Sequence, residues 1–192
     1  MGWKLFGRKM TQASVASQEL LYQYRENADP QLLAELFRRY ADALYHFLVR
    51  QSDSELAQDI SQQCWLNLMQ YAQSYQAQSS VKTWLFAIGR NLLIDEFRRQ
   101  QRWQVSDEVD LLVDPKPSTL HLLQQAQQQH KLSQAIASLP FVQREALMLQ
   151  LEEFSVEQIS EITQANIETV KTRLRYARQN LKHLLEHVDV IA

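Results

Sequence analysis

A chain of 192 residues with 45% hydrophobic content can pack one or two domains and is too apolar for wholesale disorder. Three glycines and four prolines supply too little turn chemistry for a many-stranded sheet, and one cysteine excludes an internal disulfide or a cysteine-based zinc site. The formal net charge of -2 does not point to a polyanionic partner, so the distribution of charge has to be read along the chain.

Residues 1–16 read as a mobile arm. MGWKLFGRKM has no apolar core of signal-peptide length, and Phe6 stands where a myristoylation signal needs Ser or Thr. No apolar run approaches the ~18–20 residues of a membrane span. A cytoplasmic protein without membrane insertion is expected. Asp29-Pro30 is a helix start, since Asp caps and Pro is tolerated at the first helical position. Behind it Leu33, Leu36, Phe37, Tyr40, Leu44, Phe47 and Leu48 share one helical stripe. Leu56, Ile60, Cys64, Leu68 and Tyr71 repeat every three or four residues, and a third helix runs from about Lys82 to Arg102 with Leu85, Ile88 and Leu92 inward.

SDEVDLLVDPKPS (Ser106–Ser118) is acidic, holds two of the four prolines and reads as a linker. Beyond it a Gln-rich run (124–129) lies in a helical pattern with Leu122, Leu132 and Ile136, ending at 138–140; a further helix covers about Val142–Leu151. The fold class is therefore all-α, two small helical domains joined by a flexible linker. The boundaries are an arm (1–16), a first domain (17–103), a linker (104–117), a second domain (118–187) and a tail (188–192).

The end of the second domain carries the clearest pattern. Ser155 followed three residues later by Gln158 is a capping-box signature, and Val156, Ile159 and Ile162 form an apolar face. Gln164-Ala165-Asn166 makes a three-residue turn, with Asn166 capping a helix that points Ile167, Val170, Leu174, Ala177 and Leu181 inward. Two short helices around such a turn form a helix-turn-helix. The second helix packs Lys171, Arg173, Arg175, Arg178 and Lys182 into twelve residues, against one acid, Glu168, in 167–182. Lys171, Arg175, Arg178 and Lys182 share a stripe whose centre lies about 90° from the apolar one, at ~100° per residue. One face packs while the next meets a duplex. Glu168, Thr169, Lys171 and Thr172 stand where a recognition helix meets base edges, and the later cations where phosphates run.

The first domain holds a second constellation. Asn91, Asp95, Arg98 and Arg102 fall on one stripe with Arg90 and Arg99 beside it, and Trp84 opens the helix after a polar loop (76–82). Basic residues beside an exposed aromatic suit an unstacked single strand; a core role for Trp84 is equally compatible with the pattern.

Three stretches carry a family resemblance. AQDISQQCW (57–65), TWLFAIGRNLLIDEFRRQQR (83–102) and LPFVQREALMLQLEEFSVEQISEITQANIETVKTRLRYARQNL (139–181) resemble, in order, the polymerase-binding helix, the −10 segment and region 4 of bacterial sigma-70-class RNA polymerase sigma factors of the extracytoplasmic-function (ECF) group. The resemblance implies core RNA polymerase, promoter DNA and an anti-sigma factor as partners. It implies that Asp59, Gln62 and Gln63 face the polymerase. Asn91 would help read the −10 element, with the loop before Trp84 holding a flipped base and Arg98, Arg99 and Arg102 on DNA backbone; Lys82, Trp84, Arg90 and Asp95 would belong to the same −10 surface. Asn166, Glu168, Thr169, Lys171, Thr172, Arg173, Arg175, Tyr176 and Arg178 would form the −35 surface.

The chain departs from the family pattern in places. Gln58 replaces a usual Glu, Gln164 stands at a usual turn glycine, QIS (158–160) replaces EIA, and Tyr176 stands where Arg is common while Arg175 is its neighbour. From the residues alone, a helix-turn-helix regulator with the first domain as sensor remains an alternative. An enzyme is not expected: Cys64 lies in an apolar stripe, His46, His121, His130, His183 and His187 show no metal spacing, and no glycine-rich phosphate loop exists. No catalytic residue, metal or cofactor is assigned.

Overall fold

The computed structural model of the chain describes residues 12–103 and 131–188, with side chains over 16–100 and 131–186. The linker, the Gln-rich run, Leu122, the start of the second domain and the last four residues of the tail lie outside the described residues. No strand occurs among those described.

The first unit comprises α1 (Gln12–Asn27), α2 (Pro30–Val49), α3 (Ser54–Tyr71) and α4 (Val81–Trp103), with a 3-10 turn at Ala72–Ser74. Helix α1 begins inside the stretch expected to be an arm. Its sequence is mostly polar, and a few buried groups hold it: Leu21 is sealed, Ser17 Oγ lies 2.6 Å from Tyr40 Oη, and Gln18 Nε2 donates to Tyr75 Oη at 3.0 Å. Such anchoring is tertiary and leaves no periodic trace. Helix α2 starts as expected, with Asp29 Oδ1 accepting the Gln31 N–H at 2.9 Å and Pro30 first. Asp53 caps α3 through the Leu56 N–H at 2.8 Å, and Ser80 Oγ accepts the Thr83 N–H at 3.0 Å to open α4.

The core of this unit gathers Leu36, Leu44, Phe47, Leu48, Ile60, Leu68, Leu85, Phe86 and Leu93, each contributing about 1.5–3 kcal/mol by burial. Gly89 lets α4 lie close on its neighbours, since a Cβ there would stand 3.0 Å from Leu44 Cδ1 and 3.7 Å from Cys64 Sγ. The Cys64 thiol donates to Leu85 O at 3.3 Å, and burial pushes its pKa up to about 12. Two expectations are corrected. Phe37 and Tyr71 are exposed, Phe37 lying against the Trp65 ring and Tyr71 standing at the last residue of α3. Leu92 packs partly buried against the core, with Leu93 sealed beside it.

The second unit comprises a helix over 131–137 (α5), α6 (Phe141–Leu151), α7 (Val156–Thr163) and α8 (Ile167–Val188). Glu153, at φ 64, turns the chain after α6, and the Phe154 N–H returns to Leu149 O at 3.2 Å. Both halves of the α7 capping box form, as the spacing predicts. Gln164 takes the left-handed conformation at φ 52, and Asn166 Oδ1 accepts the Thr169 N–H at 2.7 Å to start α8. Leu149, Phe154, Ile159, Ile162, Val170, Leu174 and Ala177 form this unit's core. Leu132 is exposed, and Ile167, expected inward, is exposed on the first turn of α8. The two units touch: α4 packs against α7, and the buried apolar residues run on from one unit to the other.

Candidate nucleic-acid interface

The geometry of α8 follows from its turn. Gln164 and the Asn166 cap fix its direction relative to α7, and Val170, Leu174 and Ala177 seat it, which leaves Lys171, Thr172, Arg175, Arg178 and Lys182 in solvent. Asn166 and Glu168 are exposed beside Lys171, while Thr169 is half-buried. Lys171 pairs with Glu168 at 2.8 Å, and the hydrogen bond to that carboxylate holds the ammonium pKa above its ordinary value. Arg178 Nη2 donates to Gln150 Oε1 at 2.6 Å. The Arg175 guanidinium lies 5.0 Å from the Tyr176 ring centroid, and Tyr176 itself is 45% exposed. Arg173 departs from expectation: it is half-buried, with Nη1 sealed from solvent and without a hydrogen-bond partner. Its position flanks the apolar stripe on the side away from the basic one, so it sits against the domain rather than with the other cations.

Helix α4 presents two faces. Asn91, Asp95, Arg98 and Arg99 are exposed, with Arg98 3.4 Å from Asp95 and Arg99 2.8 Å from Glu96. Arg102 lies on the last turn, its side chain outside those described. Trp84 is half-buried, 5.1 Å from the Tyr75 ring, so it serves the core edge. The other face meets the second unit. Lys82 Nζ donates to Glu152 O at 2.6 Å and sits 4.7 Å over the Phe154 ring. Burial draws the Lys82 pKa below its ordinary value, against the opposing pull of Glu152 and Glu153. Phe86 meets Phe154 edge-on at 4.8 Å, and Phe97 meets Phe141 at 5.7 Å. Arg90 Nε lies 2.7 Å from Glu145 Oε1, with the Glu145 side chain 0% exposed. Lys82 and Arg90 are therefore set apart from the remaining −10 candidates, covered where those are open.

On α3, Asp59, Gln62 and Gln63 are all exposed. Asp59 and Gln63 line a groove of about 520 Å³ between α3 and α4, whose floor includes Ile60 and Leu92. Gln63 Nε2 also donates to Asn67 Oδ1 at 2.9 Å. Among the described residues no group of His, Cys, Asp and Glu is placed to hold a metal ion, and no helix is long and apolar enough to cross a membrane.

The family model of Sigma-70 region 2 matches residues 36–103, and that of Sigma-70 region 4 matches 129–181. The ECF RNA polymerase sigma factor SigM of Bacillus subtilis is 32% identical over 155 residues, covering 78% of this chain and 93% of the relative. The chain belongs to the ECF RNA polymerase sigma factors.

The ECF RNA polymerase sigma factor RpoE of Cereibacter sphaeroides is 27% identical over 85% of this sigma factor and 91% of its own length. Among solved structures, the sigma factor RpoE in complex with the anti-sigma factor NepR, from Bartonella quintana, is 28% identical with a TM-score of 0.67, covering 80% of this chain and 96% of that one. CnrH in complex with the cytosolic domain of CnrY shares the fold, at 19% identity and TM-score 0.66. The all-α, two-domain reading thus holds, and the stand-alone regulator loses its support.

Within this sigma factor the matched stretches place α4 in region 2 and α7–α8 in region 4. The residues that sequence reasoning missed lie between the two. Glu145, Phe86, Phe154 and Gln158 make contacts across the regions, Gln158 Nε2 reaching Thr83 Oγ1 at 3.3 Å. One signal was available: Lys82, Phe86 and Arg90 repeat every four residues on α4, two cations flanking an aromatic on a stripe apart from the exposed one.

Proposed function

We propose a division of work for this sigma factor. Region 4 docks the −35 element as duplex, with Asn166, Glu168, Thr169, Lys171 and Thr172 at the base edges and Arg175, Tyr176, Arg178 and Lys182 along the backbone. Each good bidentate base contact is worth roughly 1–3 kcal/mol of discrimination. Region 2 holds the melted −10 strand on the Asn91, Asp95, Arg98, Arg99 and Arg102 face of α4. Unstacking a base costs a few kcal/mol, offset by stacking and backbone cations, and retention of that strand stabilises the open complex.

The single observation that carries this reading is the solvent-facing stripe of Lys171, Arg175, Arg178 and Lys182 on a capped helix after a fixed turn. Asp59, Gln62 and Gln63, around the α3–α4 groove, are the surface we assign to core RNA polymerase. The work is done in the cytoplasm, where polymerase and promoter DNA are. An anti-sigma factor is the partner that would hold the protein in reserve, a reading supported by the similar sigma factor solved with NepR.

Run-off transcription with core polymerase tests the reading. Promoter-dependent transcripts are expected only with this protein added, with 5′ ends that define shared −10 and −35 elements. Gel shift without polymerase should show weak promoter binding, since two tethered sites gain avidity only once their separation is set. Tight operator binding without polymerase would favour a stand-alone regulator instead.

A further inference from the structure

The segment 72–80 leads from α3 into α4, and α1 holds it by a set of polar contacts. Gln18, buried, donates from Nε2 to Tyr75 Oη at 3.0 Å and to Ser79 O at 3.4 Å. Tyr75 Oη in turn donates to Ser79 O at 2.6 Å, so one carbonyl near the end of the segment is gripped twice. Arg25 Nη1 donates to Tyr75 O at 3.3 Å, with its guanidinium 5.4 Å from the Tyr22 ring centroid. Gln73 Nε2 returns a bond to Arg25 O at 2.9 Å, on the last turn of α1, where helical carbonyls lack partners within the helix. The Tyr75 ring is buried, 6.1 Å from Tyr22 and 5.1 Å from Trp84. Beyond this grip the segment has an open tip. Gln76, Ala77 and Gln78 are exposed, with the Gln78 N–H donating to Gln76 O at 2.6 Å and Gln78 Nε2 to Gln76 Oε1 at 2.9 Å.

We propose that Gln18 and Arg25 are positioning residues for the −10 element. They fix the segment 72–80 in one conformation, so that the Gln76–Gln78 tip meets a single unstacked base beside Trp84. Among the described residues of α1 only Leu21 is a sealed apolar side chain, so the buried amide of Gln18 serves the segment rather than the apolar core. A polar segment without such anchors would have to be ordered at each binding event, which weakens binding and blurs choice. Each amide of the tip offers a donor and an acceptor, the complement of a Watson–Crick edge that is bare only in melted DNA. A tip held in place distinguishes bases by that edge, whereas a loose tip adapts to any of them. The base-reading role of the tip rests on the function proposed above; the grip of α1 does not.

Two measurements on the full chain test this. Hydrogen exchange of the free protein reads the grip. Amides 73–79 are expected to exchange about tenfold faster in Gln18→Leu and in Arg25→Met than in the wild type, with α3 and α4 unchanged. Unchanged exchange in the segment would overturn the grip. Transcription with core polymerase reads the role, on a promoter found from wild-type 5′ ends and varied at each −10 position in turn. The wild type is expected to prefer one base at one position where both variants discriminate about fivefold less, while the other −10 positions and the −35 element keep their preferences. Arg25→Lys, which keeps a donor for Tyr75 O, should restore most of that discrimination. Should Gln18→Leu lose helicity by circular dichroism, Tyr75→Phe carries the comparison, since it removes only the hydroxyl between Gln18 and Ser79 O. Preferences unchanged at every position, or weakened equally at all of them, overturn the positioning role. A loosened segment in variants of a chain that never yields a promoter-dependent transcript overturns the −10 role together with the proposed function and leaves the grip standing.

Discussion

Lys171 Nζ lies 2.8 Å from Glu168 Oε1, one turn back along α8, with both side chains more than half exposed. The only acid among residues 167–182 thus shields the leading cation of the helix. Glu168→Gln is expected to raise affinity for mixed-sequence duplex at low salt by a few fold and to steepen the salt slope by up to ~0.9, one phosphate contact. Fluorescence anisotropy across a salt series reads both. An unchanged slope would show that Lys171 meets no phosphate.

Arg175 and Tyr176 are stacked neighbours, and the family pattern leaves open which one serves DNA. A guanidinium on a phosphate contributes to counterion release, whereas a phenol does not. Arg175→Ala should flatten the salt slope by about 0.9, and Tyr176→Ala should leave it within error. The exchange of the two residues then separates positioning from base reading: a shifted −35 base preference means that one of them reads sequence.

Gln164 holds φ 52 in the turn between α7 and α8. A residue with a Cβ is strained there, and a β-branched one more so. Gln164→Gly is expected to stabilise region 4 by about 0.5–1 kcal/mol, part of the relief being offset by a looser unfolded chain, and Gln164→Val to destabilise it by about 1–2 kcal/mol. Urea midpoints of the full chain measure both. The opposite order would mean that the turn relaxes away from this conformation.

Burial holds the Glu145 carboxyl above the ordinary value of 4.5, against the lowering effect of its hydrogen bond from Arg90 and the charges of Arg90 and Arg173. A carboxyl raised in the folded state keeps its proton to higher pH there than in the unfolded chain. Its contribution is full below the ordinary value and is lost as pH climbs through the raised one. The wild type should therefore lose stability relative to Glu145→Gln as pH rises above about 4.5. Thermal midpoints of the two proteins at matched pH values check this. A difference that does not vary with pH would contradict the direction given.

Helix α2, the α7 capping box and the Gln164 turn were legible because each is set by residues within a few positions of one another: Asp29-Pro30, Ser155 with Gln158, Gln164 with Asn166. So was the exposed stripe of α8, since helical period alone decides it. Helix α1 was not, because Ser17 and Gln18 are buried through partners at Tyr40 and Tyr75, far along the chain. Lys82 and Arg90 read as surface cations and are partly withdrawn, for the same reason: a cation's partner can lie in the other region, as Glu152 does for Lys82 and Glu145 for Arg90. Sequence spacing reports which face a residue shares, and it does not report what covers that face.

Cys64 is the chain's single cysteine, sealed between α3 and α4 with its thiol bonded to Leu85 and its pKa near 12. A thiol so protonated and shut away does not react with maleimides at neutral pH. Any cysteine placed on the surface would then be the sole labelling handle, with the native residue left in place. A pair of such handles, one per region, would let spin or fluorophore distances follow this sigma factor from solution into the initiating complex.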